Sequence, residues 1–257
     1  MSLVLLVAAC LLSGAAIGLL GGILGIGGGL IAIPALGLVL GMDQQMAQGT
    51  ALVMVLPTIL MAVRKYNQHA RIDLRVAACG ALGAVVCTWF GAHLALGLDP
   101  AVLRRGFALF LLGIAVFYVW QTWSRPRPRA GAQPPPRGGI GRAQAGGIGA
   151  LAGLLGGFFG VGGAVLAVPI MTAVFRLSQT AAQALALAMI IPGSCVALLA
   201  YALGGQTDWV VGLSLAAGSL ALVPVGVRIA YGLPERALRG AFAAMLAVTV
   251  VLLFVES

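Results

Sequence analysis

The feature that most constrains this chain is a glycine-rich pattern that ends in proline and occurs twice. Residues 18–36 read GLLGGILGIGGGLIAIPAL and residues 153–171 read GLLGGFFGVGGAVLAVPIM, with ten of nineteen positions identical. Inside a helix, glycine costs about 1 kcal/mol and proline about 3 kcal/mol relative to alanine. Each copy therefore predicts a helix that is broken at its glycines.

The chain as a whole is too apolar for a water-soluble protein. Of its 257 residues 61% are hydrophobic and 8% are charged, and the mean hydropathy is +1.09. A hydrocarbon core of about 30 Å needs roughly 20 apolar residues for each helical crossing, which leaves room for about eight crossings. We therefore predict an all-α polytopic membrane protein, with a Gly/Pro-broken helix in each of two repeated halves.

The repeat divides the chain into three parts. Residues 1–123 form the predicted first transmembrane repeat, 124–144 a linker rich in Pro, Arg and Gly, and 145–257 the second repeat. The offset between the two copies is constant, so that Gln48 corresponds to Gln183 and Pro57 to Pro192. An even number of crossings per half would make the repeats parallel, whereas an odd number would make them inverted. Both arrangements stay open, since the route of the broken segment decides between them.

The formal charge of +9 is carried by basic residues that lie between the apolar runs. Such a distribution indicates membrane topology and does not favour a nucleic-acid partner. Because the loop 64–75 and the linker are basic, we predict that the linker and both termini face the cytoplasm.

The glycines of each repeat have two different predicted roles. Gly14, Gly18 and Gly22 have the small-xxx-small spacing that lets helices pack closely. The later glycines interrupt a helix, and free backbone N–H groups at a helix start bind anions without a charged side chain. The predicted binding glycines are Gly25, Gly27, Gly28, Gly160, Gly162 and Gly163, and the predicted hinge or break-holding prolines are Pro34, Pro57, Pro169 and Pro192.

A few polar side chains lie within the apolar runs. The amides of Gln48 and Gln183, with the Thr50 hydroxyl, would donate hydrogen bonds to an oxyanion, although a polar helix start at the interface is the alternative. His93 is a candidate proton carrier, but its counterpart is Arg228, which favours a position near the headgroups. No catalytic triad, carboxylate pair, metal-ligand spacing or nucleotide loop is present in the sequence, so we expect no enzyme activity, metal or cofactor.

The glycine-proline repeats, the run QQMAQGT at 44–50 and the loop NQHARIDLRVA at 67–77 resemble the TauE/SafE family, also called the 4-toluene sulfonate uptake permeases. The resemblance covers nearly the whole chain outside the linker. It implies a secondary carrier of sulfite, sulfonates or related sulfur compounds in a bacterial inner membrane. Import and export both stay open, although the resemblance favours export. The sequence departs from a symmetric pattern at Leu185, which stands where the first half has Thr50.

The sequence thus predicts a transporter whose partners are the lipid bilayer, a small anion and a coupling proton or cation. A passive anion channel and a transporter of a different small solute are the alternatives. Homo-oligomers are compatible with the sequence.

Overall fold

The chain folds into α-helices throughout the part that the structure describes. The computed structural model describes residues 3–68, 72–124 and 140–255, apart from the side chains of 119–124 and 253–255. These residues form ten helices and no strand. The helices are α1 (Leu3–Leu24), α2 (Gly29–Leu40), α3 (Gln44–Asn67), α4 (Leu74–Leu96), α5 (Pro100–Ser124), α6 (Arg142–Phe159), α7 (Ala164–Ala173), α8 (Gln179–Leu203), α9 (Trp209–Gly232) and α10 (Glu235–Val255).

The predicted linker, 124–144, lies mostly outside the described residues, and α6 begins within it at Arg142. On either side, helices start at matching positions of the two copies. The start of α3 at Gln44 corresponds to that of α8 at Gln179, and the start of α4 at Leu74 corresponds to that of α9 at Trp209.

Five of the described helices begin at a polar side chain that accepts a backbone hydrogen bond. The capping side chains are Asp43 before α3, Asp73 before α4, Asp99 before α5, Ser178 before α8 and Asp208 before α9. Such a cap satisfies a backbone N–H that has no partner within the helix and contributes about 1 kcal/mol. Short polar residues therefore fix where the apolar helices start.

Six described helices are long and apolar enough to cross a membrane. They are α1, α3, α4, the stretch Pro100–Tyr118 of α5, α8 and α9. By contrast, α2 and α7 have 12 and 10 residues and rise only about 18 Å and 15 Å, less than a hydrocarbon core of about 30 Å. A polytopic all-α membrane protein is confirmed, whereas the eight crossings stay a prediction.

Glycines bring helices from opposite parts of the chain into backbone contact. A Cβ atom placed on Gly18 of α1 would lie 2.4 Å from the Ser219 carbonyl oxygen of α9, and one on Gly153 of α6 would lie 2.5 Å from the Ala84 carbonyl oxygen of α4. No side chain fits at such distances, so only glycine permits this packing. The early glycines therefore do pack helices, and they join α1 to α9 and α4 to α6.

The helices α3 and α8 lie at the centre of the molecule. They pack against each other, α3 also contacts α9, and α8 also contacts α4. Farther out, α5 packs on α10, where the Tyr118 and Phe242 rings stack with centroids 4.6 Å apart. The outer faces carry exposed apolar side chains such as Val4, Leu12 and Phe90. An apolar exterior of this kind is what a lipid-facing surface requires.

Candidate functional site

Both predicted helix breaks are present, and glycines form them. The backbone of Gly25, Gly27 and Gly28 has φ of +64°, +74° and +84°. Gly160, Gly162 and Gly163 repeat this with φ of +66°, +77° and +76°. Because an L side chain in this left-handed region costs about 1–2 kcal/mol, the sequence needs glycine here.

The breaks leave two helix starts without a side-chain cap. Gly28 is the N-terminal cap residue of α2, Gly163 is that of α7, and no side chain caps either helix. The first backbone N–H groups of a helix have no partner within it, and the helix dipole places partial positive charge there. Both starts are therefore suited to a negatively charged ligand.

The two breaks lie next to each other in the centre of the molecule. A Cβ atom on Gly29 would lie 3.5 Å from Val161 Cα and 3.7 Å from the Gly160 carbonyl oxygen. Val55 of α3 borders both breaks, since its Cγ1 would lie 3.2 Å from a Cβ on Gly27 and 3.5 Å from one on Gly162. Matching segments of the two repeats, far apart in the chain, thus form one central region.

Each break is held by a glutamine from the other half of the chain. Gln183 packs against Gly25, and its Nε2 donates to the Leu24 carbonyl oxygen at 2.7 Å. Its Oε1 lies 3.0 Å from the Tyr66 hydroxyl, which also lies 2.9 Å from the Gly22 carbonyl oxygen. The first break is therefore tied to α8 and to the end of α3.

Gln48 holds the second break in a related way, with one difference. It packs against Gly160, and its Oε1 accepts a 2.6 Å hydrogen bond from Tyr201, whose hydroxyl also lies 3.2 Å from the Gly157 carbonyl oxygen. Its Nε2 is fully buried and, among the described residues, has no hydrogen-bond partner. A buried donor without an acceptor costs about 1–3 kcal/mol of stability. A ligand that accepts a hydrogen bond from this amide would remove that cost without breaking another bond.

The comparison with protein families decides what kind of protein has this arrangement. The family model described as "Sulfite exporter TauE/SafE" matches residues 10–253, which is nearly the whole chain. The chain belongs to the sulfite exporter TauE/SafE family. The resemblance inferred from the glycine-proline repeats is thereby confirmed.

Two relatives agree with this assignment. The chain is 25% identical over 232 residues to the "Probable membrane transporter protein YunE" of Bacillus subtilis, covering 85% of each chain. It is 26% identical over 202 residues to a "Probable membrane transporter protein" of Haemophilus influenzae, covering 78% of this chain and 76% of the relative. No solved structure gives a significant match. The family and these relatives support a multi-pass membrane transporter.

A small cavity lies beside the second break of this TauE/SafE protein. Its volume is about 10 Å³, room for about one water molecule. Gly162, Thr88 of α4 and Ser194 of α8 are among the residues that line it. The lining residues carry no charge, so a ligand would meet only neutral groups and backbone there.

Thr50 lies away from the contacts that join the breaks. Its Oγ1 accepts a 2.9 Å hydrogen bond from the backbone N–H of Asp208, between α8 and α9. The neighbouring Gly49 packs directly on the Gln206 carbonyl oxygen of the same turn. The structure thus places Thr50 at a helix–turn contact, and its role as a substrate donor stays a prediction.

His93 is exposed on the outer face of α4. Its Nδ1 lies 2.9 Å from the Trp89 carbonyl oxygen, and the two rings are 4.1 Å apart. Both partners belong to one face of the same helix, and the structure does not bring His93 to the breaks. A proton-carrying role for His93 stays a prediction.

The four predicted hinge prolines lie within helices. Pro34 lies inside α2, Pro57 inside α3, Pro169 inside α7 and Pro192 inside α8. The helical conformation is interrupted at the glycines that precede α2 and α7. All four proline-containing helices continue past their prolines. Their role as hinges stays a prediction.

Sequence reasoning did not assign a role to Tyr66, Tyr201, Thr88 or Ser194. The tyrosines were recognisable as identical residues at matching positions of the repeat, but nothing in the sequence indicated that they bond to the glutamines. Within the part of the chain that is described, no group of three His, Cys, Asp or Glu side chains is placed to hold a metal ion.

Proposed function

We propose that this TauE/SafE protein is a secondary transporter that moves a small sulfur oxoanion or organosulfonate, such as sulfite, across the bacterial inner membrane by alternating access. The observation that carries the proposal is the meeting of two uncapped helix starts in one buried region whose side chains are neutral. An anion is the ligand that such starts favour.

The binding groups follow from the two breaks. The backbone at Gly27 and Gly28, together with Gly160, Gly162 and Gly163, would supply N–H donors and the positive ends of two helix dipoles, each equivalent to roughly half an elementary charge. The Gly25 N–H donates to the Gly21 carbonyl oxygen at 2.9 Å, so it would contribute only by giving up that bond. The Gln48 amide adds a donor that has no other partner among the described residues. Gln183 and Thr50 would contribute only by exchanging the hydrogen bonds they make with Leu24 and Asp208 for bonds to the substrate.

We further propose that residues 1–123 and 145–257 are two copies of one unit that together cross the membrane about eight times, with the linker and both termini in the cytoplasm. Supporting this are the helix starts at matching positions and the contact of Gly18 with Ser219, which recurs at the matching residues Gly153 and Ala84. Reporter fusions at the C-terminus and within the linker test the orientation. Activity of a periplasmic reporter at either place would overturn it.

A flux assay in proteoliposomes tests the transport function. The purified full-length protein is reconstituted and supplied in turn with sulfite, thiosulfate, sulfate and small sulfonates, with and without an imposed proton or sodium gradient. The proposal expects saturable uptake of at least one sulfur anion that responds to a gradient. Uptake that neither saturates nor responds to any gradient would favour a passive channel, and movement of none of these anions would refute the sulfur assignment.

A further inference from the structure

The region around the two breaks is not symmetric, and the difference lies in the residues behind them. The cavity beside the second break is lined by Thr88, Gly193 and Ser194. The matching positions of the other copy are occupied by Val223, Thr58 and Ile59, which are larger or more apolar in every case. The two halves therefore differ at the place where a ligand would lie against its break.

In the first half, side chains occupy the corresponding space. A Cβ atom on Gly27 would lie 2.5 Å from Ile59 Cγ2, so Ile59 packs directly on the first break. Thr58 donates to the Met54 carbonyl oxygen at 2.6 Å and lies 2.7 Å from Ser219 Oγ. On the second break the equivalent contact is looser, because a Cβ on Gly162 would lie 3.5 Å from Ser194 Oγ.

The Ser194 hydroxyl differs from the other buried hydroxyls in the described helices. A buried Ser or Thr in a helix usually bonds to a carbonyl oxygen of its own helix, as Thr58 and Thr249 do. Ser194 is 3% exposed and, among the described residues, has no hydrogen-bond partner although it lines the cavity. All other buried Ser and Thr side chains of the described helices take part in a hydrogen bond.

A second unpartnered donor borders the same glycine loop. Gln48 packs on Gly160, and within the described part of the chain its buried Nε2 has no acceptor, whereas the corresponding Nε2 of Gln183 is bonded to the Leu24 carbonyl oxygen. The second break thus has one unpartnered donor that lines the cavity, Ser194, and a second one outside that lining, Gln48 at Gly160. At the first break the corresponding amide is hydrogen-bonded, and Ile59 stands in place of the serine.

We propose that the chain has one off-centre substrate site at the second break, in which Ser194 and Gln48 donate hydrogen bonds to a singly charged oxoanion beside Gly162, while the first break is filled by Ile59. This inference rests on the transport function proposed above and narrows its binding groups to those of the second break. Thr88 Oγ1 donates to the Gly153 carbonyl oxygen at 3.0 Å, so toward a ligand it acts as an acceptor.

The charge of the substrate follows from the lining. The cost of taking an ion out of water grows with the square of its charge, and a site with only neutral donors has no counter-charge to offset it. A singly charged sulfonate or hydrogensulfite therefore suits the site better than doubly charged sulfate. A cavity with room for one water molecule must widen before it takes such an ion.

Concentration-dependent uptake of sulfite, methanesulfonate and sulfate by full-length protein in proteoliposomes tests the site. Ser194→Ala is expected to raise KM about tenfold or more, since a hydrogen bond to a charged group is lost. Ile59→Val, at the matched position of the first half, is expected to leave KM within about twofold, because it removes only one methylene from a contact with the backbone. Gly193→Thr, which copies Thr58 into the second half, is expected to abolish uptake, since a Cβ there would lie 2.8 Å from Thr88 Oγ1.

A binding readout separates the site from the transport function. The thermal midpoint of each purified variant is measured with and without the anion, so that loss of folding is recognised at once. An unchanged KM in Ser194→Ala, or a larger effect of Ile59→Val, overturns the off-centre site while transport stands. If the wild type is stabilised by sulfite or methanesulfonate through Ser194 but moves neither, the site stands and the transport function fails. No stabilisation and no uptake overturns both, and a preference for sulfate overturns the singly charged substrate.

Discussion

Replacing each of the two buried glutamines with methionine gives a sharp test of how the breaks are held. Methionine keeps the unbranched shape and nearly the volume of glutamine but forms no amide hydrogen bonds, so the packing loss is similar at both sites. Gln48 and Gln183 are both fully buried. They differ in their hydrogen bonds, since the Nε2 of Gln183 has an acceptor and that of Gln48 has none among the described residues.

The expected magnitudes follow from those bonds. Gln183→Met loses the hydrogen bonds to Leu24 and Tyr66. A hydrogen bond between membrane helices contributes about 0.6 kcal/mol on average and about 1.7 kcal/mol at most, so losing two costs about 1–3 kcal/mol of stability. Gln48→Met loses one bond to Tyr201 but also removes an unpartnered amide, whose burial costs about 1–3 kcal/mol. Gln48→Met should therefore be neutral or stabilising, and the two variants should differ by about 3 kcal/mol.

Thermal unfolding of the purified protein in detergent, followed by tryptophan fluorescence, measures this difference. For a chain of this size 1 kcal/mol shifts the midpoint by about 2–4 °C, so Gln183→Met should unfold about 6–12 °C below Gln48→Met. Adding sulfite should stabilise the wild type and Gln183→Met but not Gln48→Met. Equal midpoints in the absence of anion would refute the asymmetry of the two amides.

Four further variants, one of them a control, test separate parts of the structure. Gly18→Ala places a methyl group 2.4 Å from a backbone oxygen of α9 and should lower the free energy of unfolding by about 3 kcal/mol. The control Gly113→Ala, with open space around it, should be neutral or up to about 1 kcal/mol stabilising. Equal midpoints of the two variants in thermal unfolding would contradict the packing role of Gly18. Thr50→Val removes the acceptor of the Asp208 N–H and should lower the unfolding midpoint by about 2–4 °C. The KM for sulfite in the same variant tests the predicted donor role, since a raised KM supports that role and an unchanged KM removes Thr50 from the site. His93→Gln tests the predicted proton-carrying role: loss of the response of sulfite uptake to the proton gradient supports it, and an unchanged rate and gradient response removes it.

The helix breaks were predictable from the sequence because their cause is local. Glycine is the residue that readily adopts a positive φ, and several glycines in a row interrupt a helix. The breaks at Gly25 to Gly28 and Gly160 to Gly163 were therefore found without any knowledge of the fold. The prolines were a weaker guide, since helices formed around all four of them.

The partners of the breaks were not predictable, because they come from the other half of the chain. Gln48 and Gly25 belong to the same repeat, whereas the structure packs Gln48 against Gly160 of the other repeat. Ser194 could not be recognised from the repeat either, since Ile59 stands at the matching position. Pairings between distant helices depend on tertiary packing, and the repeat pattern does not contain them.

The contact of α1 with α9 has a consequence for how the protein is made. α1 ends at Leu24 and α9 begins at Trp209, so at about 5–20 residues per second the ribosome needs roughly 10–40 s to deliver the helix that covers the glycines of α1. During that interval the glycine face of α1 has only lipid or the insertion machinery as a neighbour. Neither half of the chain has a complete set of helix neighbours on its own, so the close packing of α1 on α9 and of α4 on α6 forms only after the second half has been synthesised.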